Sequence, residues 1–185
     1  MSLDMIALLT GVVCLLVIQL FIASRFVRCP ANKVLVIQGN VGPGKVMKCI
    51  HGGMAIVWPL IQEHHFLDLT PLTITVSIKG ALSKDEHQVD VAATFIVAID
   101  NKPEIISVAA VRLLRLGLCE IQMLAEQIIS GQFRLAIGSL TIQEMVRNRE
   151  RFLDVSRNSV QPELQKIGLA LINLNVTEIT DERSK

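Results

Sequence analysis

The N-terminal segment is the feature that most constrains how this chain can fold. Residues 5–24 read MIALLTGVVCLLVIQLFIAS and contain no charged side chain. A helix of twenty residues is about 30 Å long, which matches the hydrocarbon core of a bilayer. Because a helix satisfies its own backbone hydrogen bonds, such a segment is stable in lipid. The sequence therefore predicts a membrane anchor in residues 1–27, either a spanning transmembrane helix or a hairpin that dips into the bilayer.

The residues around this segment and its own composition distinguish a membrane anchor from a signal peptide or a core helix. The chain opens Met-Ser-Leu-Asp without an early Lys or Arg, which is unlike a cleaved signal peptide. The segment is apolar all round, whereas a core helix of a globular domain usually has a polar stripe.

The charges around the apolar segment predict its orientation. Asp4 is the only charge before the segment, while Arg25, Arg28 and Lys33 follow it closely. The positive-inside rule places the rest of the chain in the cytoplasm, with these three cations at the lipid headgroups.

Composition excludes several classes of function. The net charge is +1, aromatic residues make up 4% of the chain and Tyr is absent, so neither a broad basic surface nor a stacking platform for nucleic acid is expected. The cysteines form no C-x-x-C pair, and no histidine lies in a metal-binding frame. We therefore expect no metal and no cofactor. Cys29 is either a site of juxtamembrane acylation or a plain thiol.

The segment from Gly52 to Ile61 has two interpretations that do not exclude each other. It reads GGMAIVWPLI, which is compatible with a strand and a bend packed in a core. Tryptophan also favours the membrane–water interface, so a domain tethered close to the bilayer could insert this segment shallowly. The residues predicted to contact lipid in this way are Ile56, Val57, Trp58, Leu60 and Ile61.

The remaining pattern predicts an α+β fold. Alternating apolar residues indicate strands, and the two long central strands are expected to pair antiparallel. Thr141 and Glu144 form a capping-box sequence at the start of the last helix. A turn is expected at residues 28–32 and a loop at 39–44. The predicted strands are 33–38, 72–78, 89–99 and 169–179, and the predicted helices are 104–116, 119–137 and 141–167.

A membrane-tethered hydrolase is the competing class of function. Ser83, Asp85 and His87 lie close together in sequence. They match neither the nucleophile elbow G-x-S-x-G nor an S-x-x-K frame. The sequence therefore assigns no catalytic residue, and an enzyme is not expected.

Several stretches together resemble the flotillins. These are RCPANKVLVIQG, GGMAIVWPLIQ, LSKDEHQVDVAATFIVAI, EQIISGQFRLAIGSLTIQEMVRNRERF and IGLALINLNVTEITD, in that order. They are similar to the SPFH domain (Band 7, or prohibitin homology domain) of that family over residues 28–183. The apolar N-terminal helix directly before the domain resembles the bacterial branch. The resemblance implies a β-rich membrane-proximal subdomain at 28–102, and a subdomain of helices with a final strand at 103–185.

The resemblance also implies a function without catalysis. Flotillins form large oligomers in membranes, associate with ordered lipid and act as scaffolds for other membrane proteins. The implied location is a bacterial inner membrane, and the implied partners are the lipid bilayer (ordered or anionic lipid), further copies of the chain and other membrane proteins. An accessory subunit of a membrane protease or transporter is the alternative. Flotillins usually continue into a coiled coil, whereas this sequence ends at Lys185, so it is either a fragment or a short form.

Overall fold

Within the residues that it describes, the computed structural model contains eleven helices and strands, which fall into two compact units. It describes residues 3–23, 26–39, 47–57, 61–100 and 102–181, with side chains described for residues 10–20 of the first range. The first unit comprises Met1–Leu67 and the second comprises Asp68–Lys185.

The N-terminal segment is helical. Helix α1 spans Leu3–Ala23. Side chains of this helix are described for residues 10–20, and all of them are exposed. Over the part of the chain that the structure describes, no helix meets the combined requirements of length and apolarity for crossing a bilayer.

The first unit contains a three-stranded sheet in the order β2–β1–β3. The strands are β1 (Phe26–Gly39), β2 (Met47–Ile56) and β3 (Gln62–Asp68), and β1 pairs antiparallel with β2. Residues 34–37 are the apolar run Val-Leu-Val-Ile, and all four side chains are buried. They supply part of the core, which includes a cluster of Cys29, Leu35, Ile37, Ala55 and Val57.

The turn predicted at residues 28–32 is wrong, because β1 continues through it. The register between β1 and β2 shifts between Cys29 and Val34, and Pro30 falls inside this irregular part of the strand. Proline has no backbone N–H and is tolerated in strands at bulges. The strand therefore absorbs Pro30 by leaving the regular ladder for a few residues. Most of the predicted loop at 39–44 lies outside the described residues.

The second unit contains a three-stranded antiparallel sheet in the order β4–β5–β6. Strand β4 spans Leu72–Leu82, β5 spans Gln88–Ile99 and β6 spans Leu169–Asp181. The predicted strands at 72–78, 89–99 and 169–179 are confirmed, as is the antiparallel pairing of the first two. One face of the sheet is buried, and the other is lined by exposed and half-buried side chains.

The described part of the second unit also contains four helices. Helices α3 and α5 pack against each other, α3 also packs against β4, and α5 against β6. Helix α2 contacts both α5 and β5. The helices are α2 (Pro103–Leu113), α3 (Leu118–Gly138), α4 (Ile142–Arg147) and α5 (Arg149–Ile167).

Three buried phenylalanines connect the sheet to the two long helices. The ring of Phe133 on α3 lies 5.2 Å from that of Phe95 on β5, in an edge-to-face arrangement. It lies 5.7 Å from the ring of Phe152 on α5. None of the three side chains has measurable exposure. Truncating a phenylalanine in such a core to alanine typically costs about 3–5 kcal/mol, so this cluster is a major source of stability.

The helix predicted at 141–167 is divided in two. Its start is confirmed: the Thr141 hydroxyl oxygen accepts the Glu144 N–H at 3.2 Å, and the Glu144 carboxylate accepts the Thr141 N–H at 3.1 Å. Asn148 has φ −119° and ψ 62°, outside the helical region, and therefore ends α4 before α5 begins. Periodicity alone did not reveal this break, because asparagine is an ordinary residue on a polar helix face.

The boundary between the units differs from the expected one at residues 102 and 103. It falls at Leu67 and Asp68, because β4 and β5 pair with each other and β5 pairs with the C-terminal strand β6. Strands β4 and β5, which the resemblance places in the N-terminal subdomain, therefore belong to the sheet of the second unit.

Gly168 gives a test of how tightly the second unit is packed. This residue caps α5 at φ +93°, and a Cβ there would lie 2.5 Å from Ala109 Cα on α2. We expect Gly168→Ala to lower the free energy of unfolding by about 3 kcal/mol or more, from backbone strain and overpacking combined. Denaturant unfolding of both proteins measures this difference.

The matched control is Gly131→Ala, in the interior of α3. A Cβ at Gly131 has no heavy atom within 4 Å, apart from the helix's own neighbouring backbone. Since alanine is the better helix former, this change should raise the free energy of unfolding by about 0.5–1 kcal/mol. Equal effects of the two substitutions would contradict the close approach of α2 and α5.

The capping box predicts a dependence of stability on pH. Hydrogen bonds from the Thr141 N–H and hydroxyl lower the pKa of Glu144, and Arg151 and Lys84 add favourable charge interactions. A carboxyl group whose pKa is lower in the folded state stabilises the protein above its unfolded pKa, and this stabilisation disappears as the pH falls through the folded pKa.

We therefore expect Glu144→Gln to lower the melting temperature at neutral pH, and the difference from the wild type to shrink as the pH falls below the ordinary glutamate pKa. Glu126→Gln, at an exposed position of α3, is the control. A melting-temperature difference that is the same at pH 3 and pH 7 would show that the Glu144 charge contributes nothing.

Candidate functional site

An exposed apolar strip lies across the first two strands of the first unit. Phe26 on β1 lies directly opposite Ile56 on β2, and Arg28 lies opposite Met54. The exposed fractions are 47% for Phe26, 56% for Ile56 and 65% for Met54. We refer to Phe26, Met54 and Ile56 together as the apolar strip.

The strip arises from the alternation of side chains along paired strands. Cys29 and Ala55 are buried. Because successive side chains of a strand point to opposite faces, their chain neighbours Arg28, Met54 and Ile56 face away from the core. Single exposed apolar residues are ordinary, but adjacent ones in paired positions form a contiguous surface. Arg28 adds a positive charge to the same face. This combination suits a surface that is apolar in the middle and meets anions at its border.

The structure gives different positions to the residues predicted to contact lipid. Ile56 is exposed within the strip, and Ile61 is 60% exposed. Arg28 is exposed and Lys33 is half-buried. Val57 is only 4% exposed and belongs to the core cluster, because it follows Ile56 and faces the opposite way. Arg25, Trp58 and Leu60 lie outside the described residues.

The sequence interpretation missed two members of the strip. The sequence places Phe26 in the predicted anchor and Met54 in a strand whose exposed face it does not define. The signal was nevertheless present, since Met54 and Ile56 are two positions apart and therefore share a face of any strand. The register that sets Phe26 opposite Ile56 could not be read from the sequence.

Cys29 is a buried thiol in this structure. It is 7% exposed, and its Sγ lies 3.1 Å from the Lys33 carbonyl oxygen, to which the thiol donates. This position favours the plain-thiol interpretation over acylation, since an acylated cysteine must be accessible. Cys49, on the neighbouring strand, is half-buried, and burial raises the pKa of its thiol.

The histidines are spread over both units. The rings of His64 and Phe66 meet edge-on, with centroids 6.1 Å apart, and His65 Nε2 lies 3.9 Å from a Glu63 carboxylate oxygen. Among the residues that the structure describes, no three His, Cys, Asp or Glu side chains come together in a way that could hold a metal ion.

Ser83 and His87 form a turn. The Ser83 N–H donates to the His87 carbonyl oxygen at 2.9 Å, and the His87 N–H donates to the Ser83 hydroxyl oxygen at 3.3 Å. Ser83 is 5% exposed. Its hydroxyl oxygen therefore accepts from the His87 main chain, and the imidazole of His87 is not its hydrogen-bond partner. This geometry is that of a serine stabilising a turn between β4 and β5, and it lacks the serine–imidazole contact that activates a nucleophile.

Comparison with known protein families agrees with the α+β fold described above. The model of the SPFH domain / Band 7 family matches residues 27–184, which is nearly the whole chain outside α1. The chain belongs to the SPFH/Band 7 family. The resemblance to flotillins is confirmed, because relatives with flotillin names align over most of the chain.

Three bacterial relatives illustrate this similarity. The chain is 31% identical to the flotillin family inner membrane protein sll1021 of Synechocystis sp. over 92% of its length, which covers 26% of that protein. It is 29% identical to the flotillin family inner membrane protein YqiK of Escherichia coli, over 89% of this chain and 30% of the relative. It is 25% identical to the flotillin-like protein FloT of Bacillus subtilis, over 96% of this chain and 37% of the relative.

The chain thus spans about a quarter to two-fifths of the length of these relatives. It is an SPFH-domain protein similar to flotillins, and the comparison covers only that part of each relative.

Proposed function

We propose that this protein is a membrane-anchored scaffold without catalytic activity. Helix α1 embeds in the bilayer, the apolar strip rests on the same membrane surface, and several copies associate to gather other membrane proteins. The membrane is the inner membrane of a bacterial cell, and both units lie on its cytoplasmic side. Ordered or anionic lipid is the preferred surface.

The observation that carries this proposal is the short connection between α1 and the strip. Helix α1 ends at Ala23, and Phe26, the first residue of β1, is already a member of the strip. Three peptide units span at most about 11 Å. If α1 is embedded in lipid, Phe26 cannot lie far from the headgroups, and exposed apolar side chains at that depth gain by entering the interface.

Charge supports the same arrangement. Arg28 lies on the face of the strip, opposite Met54, and Arg25 precedes β1 in the sequence. Each basic residue near an anionic surface contributes about 1 kcal/mol of attraction. The strip and its cations thus form a shallow contact that combines apolar insertion with headgroup binding.

Self-association follows a separate argument. A chain held in the plane of a membrane meets other copies at a high effective concentration, so weak contacts between domains add up to a stable assembly. Such an assembly needs no catalytic site. The turn geometry of Ser83 and His87 supports this interpretation against the hydrolase alternative.

Trp58 is a natural reporter for the lipid contact. It is the only tryptophan in the chain and lies two positions beyond Ile56. We expect its fluorescence to be quenched when the full chain is reconstituted in phosphatidylcholine–phosphatidylglycerol vesicles with acyl chains brominated near the headgroup. The paired change Met54→Ser and Ile56→Ser should relieve this quenching. Each side chain loses about 1–2 kcal/mol of apolar transfer energy, so surface insertion weakens by a factor of about 30 or more.

Val111→Ser is the matched control. Val111 is 72% exposed on α2 in the second unit, so its substitution removes exposed apolar area from a residue that is not a member of the strip. Quenching should remain at the wild-type level in that variant. Identical Trp58 emission in brominated and ordinary vesicles would remove the strip from the proposed function, whereas protease protection of the N-terminal segment would test the anchor independently.

A further inference from the structure

The outer face of the second sheet is a surface that the proposed function does not use. Side chains such as Ile74, Val76, Val91 and Phe95 are buried on the inner face of the sheet, whereas the alternate residues point outward. The pairing aligns the outward residues in three cross-strand rows, which are Thr73–Ile96–Asn173, Thr75–Thr94–Asn175 and Ser77–Ala92–Glu178.

The charges on this face lie at one end. Rows one and two contain no charged residue, and their side chains are short or uncharged. Lys79, Asp90 and Glu178 line a shallow depression beside the third row. A patch that is uncharged in the middle and charged at its border has the composition of a protein interface, where charged residues are depleted from the centre.

The edges of the sheet are less suited than its face to binding a partner. The ladder is interrupted between Ile78 and Ala81 on β4, and twice along the pairing of β5 with β6. On β6, the Arg149 guanidinium donates to the Val176 carbonyl oxygen. Bulges and occupied carbonyl groups hinder the addition of another strand. A partner is therefore better accommodated on the face.

The face is complementary to itself. Lys79 and Glu178 lie on the opposite outer strands, β4 and β6, but at the same end of the sheet. A two-fold axis parallel to β5 would place β4 of one copy over β6 of the other and preserve the position along the strands. Lys79 of each copy then faces Glu178 of its partner, and the threonines of β4 face Asn173 and Asn175.

The local bonding leaves these two charges available. Among the described residues, Lys79 makes no ion pair, and Glu178 accepts a hydrogen bond from the Thr180 hydroxyl alone. Asp90 differs, because its carboxylate already accepts the Gly80 N–H at 2.7 Å. The two charges that the two-fold axis would bring together thus have no ion-pair partner among the described residues of a single copy.

We propose that this face is a contact between two copies of the chain, packed sheet against sheet with Lys79 of each copy paired to Glu178 of the other. The proposal rests on the self-association in the proposed function and names its surface. Two sheets packed in this way keep their strands roughly aligned and lie about 10 Å apart.

The contact is weak on its own. Three strands about 4.8 Å apart and about seven residues long offer roughly 300 Å² per copy, well below the 800 Å² typical of a stable interface. It therefore acts only where tethering concentrates the chains, which is the condition on a membrane.

Thiol cross-linking of the full chain in vesicles tests the geometry. Thr94 lies on β5 in the second row, next to the proposed axis. In a chain with Cys14→Ser and Cys119→Ser, which removes both exposed thiols, Thr94→Cys should be linked into dimers by a bismaleimide with a spacer of about 8 Å. Glu126→Cys on α3 is the matched control and should give at least tenfold less dimer.

Charge exchange in the same background tests the pairing. Lys79→Glu replaces two attractive pairs by two repulsive ones, and Glu178→Lys does the same, so each change should reduce the dimer yield of Thr94→Cys about tenfold. The double exchange restores both pairs and should return the yield to within about threefold. Unchanged melting temperatures separate this loss from misfolding.

The outcomes distinguish the contact from the scaffold itself. If the chain still forms multimers in vesicles, but Thr94→Cys links no better than Glu126→Cys or the double exchange fails to restore linking, this face is wrong and the scaffold stands. If the wild-type chain forms no multimer in vesicles, the proposed self-association and this contact are both wrong.

Discussion

The second unit depends on the pairing of β5 with a strand at the far end of the described chain. Ile99 pairs with Leu169, 70 positions later, and the helices α2 to α5 lie between them. Closing so long a loop costs conformational entropy that only a large buried surface can offset. Phe95 on β5 supplies part of this surface through its contact with Phe133, and Gly168 lets α5 approach α2 closely before β6 begins. The helices thus hold the sheet together from one side and leave its other side open.

The first unit meets a different constraint, which is attachment to α1. Its sheet buries the run Val34–Ile37 but leaves Phe26, Met54 and Ile56 exposed near the start of the unit. A soluble domain would gain by covering such side chains. In a domain that follows an apolar helix after two residues, the same side chains have a bilayer available to cover them. We therefore propose a different role for each unit: the first contacts lipid, and the second contacts other copies of the chain.

Much of the fold could be predicted from the sequence where one periodicity dominates. The alternation in Leu72–Ile78 and the capping box at Thr141 and Glu144 were read correctly, because each depends on neighbouring residues alone. The sequence pattern predicts a turn at Pro30, but the strand continues through this residue with an irregular register. The pattern predicts a continuous helix at Asn148, but the non-helical backbone of this residue ends the helix.

The boundary between the units and the apolar strip depend on pairing over longer distances. The pairing of β6 with β5 cannot be predicted from the sequence. The expected boundary therefore places β4 and β5 in the first half of the domain. For the same reason Ile56 could be named as a candidate for lipid contact but Phe26, its cross-strand neighbour, could not. Local chemistry was thus predictable, whereas register was not.

The most direct test of a self-associating membrane scaffold is the mass of the full chain extracted from membranes in mild detergent, corrected for the bound micelle. A discrete multimer that persists on dilution is the predicted result, because α1 and the two units then suffice for assembly. A monomer at all concentrations would contradict the account and would favour the accessory-subunit alternative, in which the chain acts only in complex with a different membrane protein.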